Sequence, residues 1–384
     1  MKYGLLIFLI WGGIAWNFEI QAQKSSSLNQ VVITEGKVSY EIPYAYELMH
    51  VAIALTDTSY RIEGYSVYNE LVDTTRSYYQ EVMRYFKPFQ NHALVLALNK
   101  ELKKNPSRYG SNLKLAYNST LGENFIKKNN QMPWVRRQEF LIGCVPRSLL
   151  LDFARVSNFE EFYSKHRTYY LDVLQSARKF ARVHEQQVWL ENHFPTQYGR
   201  YKLILSPLMQ GTHFTQRFNW KHEKQCLMWI ASPDETSMES LEIQSGRYMS
   251  IVMTEIDHNY VNPQSDLFKK RINSLLGEEF RKNWVVSTYA SQNYGSGYKV
   301  FNEYMTHAVY LLFTSTLFPS EIQELLEKSK IHGMEKNRGF YRFGEFYAKC
   351  RSLTQNSLKK EPISTHYPEL LNWIADINHR GSTK

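Results

Sequence analysis

The stretch from Gly246 to Asn259 constrains the fold of this chain more than any other. Its apolar residues Met249, Val252, Met253 and Ile256 recur at intervals of three and four, which places them on one stripe of an α-helix. The spacing predicts a helix buried along that stripe and ended by Pro263, whose ring obstructs further turns. Helices are also expected over 45–55, 65–86, 92–103, 266–276 and 297–313. One or two more cover 159–191, and another runs from Ser320, as N-cap, to Lys330. A strand pair turning at Gly36 is expected over 31–39, with strands at 201–205 and 226–230. Helices outnumber strands, so the predicted class is α+β: mostly helical, with a small sheet.

The polar face of that helix carries Thr254, Glu255 and His258. In the motif HExxH, two histidines four residues apart converge on one zinc. The intervening glutamate takes a proton from the metal-bound water, whose pKa zinc lowers to about 7. Here threonine stands at the first histidine position. Downstream lies Asn302-Glu303-Tyr304-Met305-Thr306-His307, which is similar to the NExx(S/T)D pattern of thermolysin-like zinc peptidases. In that pattern the glutamate is a zinc ligand and the aspartate supports the first histidine. An imidazole is lost at 254 and gained at 307. Two readings follow. In one, His258, Glu303 and His307 hold zinc, with Glu255 as catalytic base. In the other, His307 hydrogen-bonds Thr254 in an inactive site. Asp257 is expected to point off the metal face, solvated or capping.

Several segments together resemble a secreted family, the domain-of-unknown-function family 4932. They are Leu205-Ser206-Pro207-Leu208, Gly211-Thr212-His213, the TEIDHNYVNP segment from Thr254 to Pro263, Asn302-Glu303 and, faintly, Tyr46-Glu47-Leu48. The resemblance implies a zincin-like, peptidase-type domain with His258 and Glu303 as ligands and Glu255 as base; it carries no substrate with it, and a peptide or protein is the substrate expected of a peptidase. In such a domain an edge strand runs beside the substrate; residues 201–205 or those near His213 are candidates. His213, Tyr260 and Tyr298 are the candidate substrate contacts, the tyrosines as donors to a developing oxyanion. The alternative is a catalytically inactive zincin-like protein that binds peptide or glycan in the same cleft. The expected organisation is a signal peptide over 1–22, a mainly helical region over 23–195, a zincin-like region over 196–352, and a C-terminal helix and polar tail over 353–384.

Lys2, the apolar run from Leu5 to Trp16 and the small residue Ala22 form the targeting segment. A secreted or periplasmic protein with no stable membrane span after cleavage is expected. Cys144, Cys226 and Cys350 allow at most one disulfide. The net charge is +9, but the basic residues are dispersed and no nucleic-acid-binding signature is present. No GxSxG elbow supports a serine hydrolase.

Overall fold

The computed structural model describes residues 30–57, 71–105, 108–117, 119–122, 125–128, 141–142, 145–211, 213–220, 223–234, 237–286, 294–355 and 361–382. The expected signal peptide and Cys144 lie outside them. Along the chain, β1 (Gln30–Glu35) and β2 (Val38–Pro43) lead into α1 (Tyr44–Ala54), α2 (Ser77–Phe86), α3 (Ala93–Lys104) and α4 (Arg108–Tyr117). Two short hairpins follow, β3 (Ser119–Gly122) with β4 (Phe125–Lys128), and β5 (Leu141–Ile142) with β6 (Val145–Pro146). Next come α5 (Arg147–Val156), α6 (Phe159–Lys165), α7 (Arg167–Ala181) and α8 (Val183–His193). Then β7 (Arg200–Ser206), β8 (Phe214–Trp220) and β9 (Glu223–Ala231) precede α9 (Leu241–Asp266) and α10 (Lys269–Leu276). The remaining helices are α11 (Glu278–Arg281), α12 (Gly297–Thr314), α13 (Ser320–His332), α14 (Phe343–Gln355) and α15 (Tyr367–Ser382). The fold is α+β and mostly helical.

The main sheet has the order β1-β2-β7-β9-β8. β2, β7 and β9 are parallel neighbours, whereas β1 and β8 run antiparallel at the two edges. The continuous apolar runs of β7 and β9 follow from their place inside the sheet, where both faces are covered. Residues 201–205 are therefore interior and cannot serve as a substrate-pairing edge, whereas the strand after His213 is an edge. The regions 23–195 and 196–352 both contribute strands to this sheet. Gly36 takes the expected turn with φ +56, a left-handed value that favours glycine.

Helix α9 begins at Leu241, with the Ser240 side chain accepting from Ile243 N, and passes through Pro263 to Asp266. The expected stop at Pro263 is thus corrected. Proline removes the N–H that would bond the carbonyl one turn back, at Asn259. The Tyr198 hydroxyl supplies that bond instead, donating to Asn259 O at 2.9 Å. Ser320 likewise is the first residue of α13 rather than its cap, because Pro319 takes the cap position. Helix α12 packs antiparallel against α9. Tyr310 Oη donates to Gly246 O (2.9 Å) near one end and Tyr298 Oη to Asn262 O (3.1 Å) near the other. Gly297 lets α12 start against α10, since a Cβ there would lie 2.7 Å from the Leu276 carbonyl carbon.

Cys226 and Cys350 are buried, unpaired thiols. No helix of the described residues is long and apolar enough to cross a membrane.

The continuation through Pro263 generates a prediction. Tyr198→Phe should lower the urea midpoint by an amount corresponding to about 1 kcal/mol. The loss should shrink once Pro263→Ala restores an N–H at position 263. Equal losses in both backgrounds would show that the Asn259 carbonyl does not depend on Tyr198.

Candidate functional site

The stripe Met249, Val252, Met253, Ile256 and Tyr260 is buried, as periodicity predicts. The opposite stripe, Ser250, Thr254, Glu255, His258 and Asn262, is partly exposed. Thr254 is not directed at a partner across the cleft. Its hydroxyl donates back to Ser250 O (3.0 Å) and Ile251 O (3.1 Å) of its own helix. His258 Nδ1 is buried and has no hydrogen bond. Burial lowers the pKa of this imidazole, against the pull of Glu303. Burial, aided by Glu303, raises Glu255 to about 8; Lys114 and Arg338 oppose it.

Glu303 and His307, four residues apart on α12, share a face and are both buried. The structure adds a residue that no sequence motif marks. Arg338 forms an ion pair with Glu303, and its Nη1 donates to His307 Nε2 at 2.5 Å. Its Nη2 donates to Tyr294 Oη at 2.6 Å. A guanidinium only donates, so His307 Nε2 accepts and the ring proton sits on Nδ1, which has no hydrogen bond. Burial, reinforced by Lys330, drives the His307 pKa to about 3, so the ring is neutral. Burial would raise Glu303, but the Arg338 guanidinium beside it overcomes that and holds its carboxyl well below the usual range.

Arg338 is carried to this place by a π-helical turn, Gly333–Asn337, that follows α13. Such turns often re-aim a helix end toward a functional position. Gly339, at φ +80, then reverses the chain. The glycines at 333 and 339 were the only local signal, and they say nothing of where the side chain goes.

Asp257 also differs from expectation. It is 0% exposed rather than solvated, and neither carboxylate oxygen is hydrogen-bonded. Burial, with Glu255 and Glu303, raises it well above the usual range. Lys330 reaches Ser250 Oγ and lies 5.0 Å over the Tyr310 ring. Burial and Arg338 push Lys330 down to about 7.

The candidate substrate contacts lie elsewhere. His213 Nε2 is 3.4 Å from Gln210 O ahead of β8, and burial lowers its pKa to about 4. Tyr260 is fully buried, with its hydroxyl on that of Tyr201 below the sheet side of α9. Tyr298 Oη donates to Asp266 Oδ1 (2.8 Å) as well as to Asn262 O, tying α12 to the end of α9. Both tyrosines act in this structure as ties between elements.

A protein zinc site needs three or four donors converging on one point. Here Thr254 bonds its own helix, and Arg338 engages both Glu303 and His307. Among the described residues no group of three or more His, Cys, Asp or Glu side chains is placed to hold a metal ion. The expected set His258, Glu303 and His307 therefore does not fit zinc as arranged. The cation between Glu303 and His307 is a guanidinium.

Comparison with known proteins gives one match. The profile described as Domain of unknown function (DUF4932) matches residues 145–373. No curated protein and no solved structure matches. The matched region contains α9, α12 and Arg338, while β1, β2 and α4 precede it.

The buried pair makes a prediction. Arg338→Met leaves the Glu303 carboxylate without its counter-charge and should cost about 3 kcal/mol at neutral pH. Adding Glu303→Gln should recover most of that loss. Because the folded-state pKa of Glu303 is depressed, its contribution is complete above the ordinary carboxylate value. It is lost as pH falls toward the depressed one. Urea titrations over a pH series should show the two curves converging on acidification; a constant gap would exclude Glu303 as the partner.

Proposed function

The chain belongs to the DUF4932 family, and we propose that it is an exported, zincin-like protein whose cleft binds an extended peptide without a metal ion and without hydrolysing it. The observation that carries this reading is Arg338 paired with Glu303 and donating to His307. Without zinc, a bound water keeps a pKa near its bulk value of about 15.7. Burial and Glu303 raise Glu255 to about 8 in the metal-free arrangement.

Binding has a structural basis that does not require a metal. β8 is an edge strand, and among the described residues only β9 pairs with it. An extended peptide adds to such an edge through main-chain hydrogen bonds. β8 is fastened to the cleft helix by Asn259, whose Nδ2 donates to Thr215 Oγ1 at 2.9 Å. A peptide on this edge therefore runs beside the half-open face of α9. The targeting segment puts the mature protein outside the cytoplasm, beginning at Gln23.

A fluorescent peptide library tests the proposal. Peptides should be retained equally with and without a chelator, and mass spectrometry should recover them intact. The exported chain should start at Gln23 by N-terminal sequencing. Chelator-sensitive cleavage that disappears in Glu255→Gln would overturn the reading and restore the peptidase.

A further inference from the structure

Along the edge strand β8, Phe214-Thr215-Gln216-Arg217-Phe218-Asn219-Trp220, Arg217 alone is charged. The register with β9 fixes the side to which it points. Arg217 stands opposite Cys226, and Thr215 opposite Met228. The Cys226 thiol and the Thr215 hydroxyl both accept from Asn259 Nδ2 of α9, at 3.1 and 2.9 Å. Side chains that face each other across a ladder, or lie two apart on one strand, share a face. Arg217 therefore belongs to the face that α9 covers, with Thr215 and Asn219 as its uncharged neighbours there. Phe214 and Gln216 belong to the other face.

Arg217 is exposed, and among the described residues it has no ion pair. Its charge acts on the hydroxyls of Tyr198 and Tyr298. Both hydroxyls are already committed as donors, Tyr198 to Asn259 O and Tyr298 to Asn262 O and Asp266 Oδ1. Their oxygens can accept from a guanidinium, but they bring it no negative charge. The edge that is open to a peptide thus presents one uncompensated cation, on the α9 side.

A strand added to β8 alternates its side chains in step with those of β8. One of its residues comes to lie opposite Arg217 and points to the same face. An acidic side chain at that place meets a fork of donors that matches a carboxylate, whereas a basic one meets a like charge. The residues on either side of it point to the face of Phe214 and Gln216. Those two away lie opposite Thr215 and Asn219, which are uncharged. The net charge of +9 attracts acidic peptides as a whole; Arg217 confines the preference to one position.

We infer that Arg217 sets the specificity of the β8 edge, favouring peptides with an acidic side chain at the single position paired with it. This rests on the peptide-binding reading above and adds the class of peptide: an extended segment with one carboxylate on the α9 side.

The test takes one peptide retained from the library and places glutamate, glutamine or lysine at each interior position in turn. Fluorescence polarisation is measured on the exported protein and on Arg217→Gln, Arg217→Glu and Lys224→Glu, each checked for an unchanged melting temperature. Lys224→Glu makes the same change of charge on an exposed residue of the neighbouring strand. At one position glutamate should bind about fivefold tighter than lysine, about 1 kcal/mol, the sum of one cross-strand attraction and one repulsion. That ratio should vanish in Arg217→Gln, reverse in Arg217→Glu and persist in Lys224→Glu. It should also shrink in about 1 M salt, where the screening length is about 3 Å. A glutamate preference spread evenly over all positions would reflect net charge alone and overturn the inference, as would a preference that survives Arg217→Glu. Equal binding of every peptide would show that Arg217 only guards the edge and would also overturn it, with peptide binding itself intact. Failure of any peptide to bind would remove the peptide-binding reading.

Discussion

The ion pair between Arg338 and Glu303 sets the chemistry of the whole cleft. A carboxylate buried between two packed helices must be compensated. A zinc ion would bring two positive charges and withdraw a proton from water. A guanidinium brings one, already shared with Tyr294 and His307. Burial raises Glu255 to about 8 and Asp257 well above its usual range and lowers Lys330 to about 7; Arg338 opposes the rise of Glu255 and adds to the fall of Lys330.

Two positions depart from the zinc-peptidase pattern that the motif resembles. Thr254 satisfies its hydroxyl on its own helix. His307 stands at the place of an aspartate and accepts a hydrogen bond instead of holding an imidazole. Threonine at 254 lacks the imidazole donor of the motif, and Arg338 gives the buried Glu303 carboxylate its counter-charge.

Much of the fold was legible in the chain. The stripe on α9, the turn at Gly36 and the strands of β7 and β9 follow from periodicity and turn chemistry, which are local. The expected stop at Pro263 failed because a tertiary partner, Tyr198, satisfied the carbonyl that proline leaves open. Asp257 was misjudged because one helix face was read as solvent when α12 and its neighbours cover it. The site was legible only as far as its motif. Glu255, His258 and Glu303 carry spacing that can be recognised. Arg338, Arg217 and Lys330 do not, because they come from separate elements and are brought in by a π-helical turn, by the pairing of β8 with β9, and by α13.

The proposed reading and the peptidase alternative differ in one measurable quantity: metal stoichiometry after saturation. The protein would be incubated with excess zinc, passed through a desalting column and assayed by elemental analysis. Far less than one zinc per chain is expected, because a guanidinium already fills the charge that Glu303 requires. One tightly held zinc per chain, lost on His258→Ala, would contradict the account.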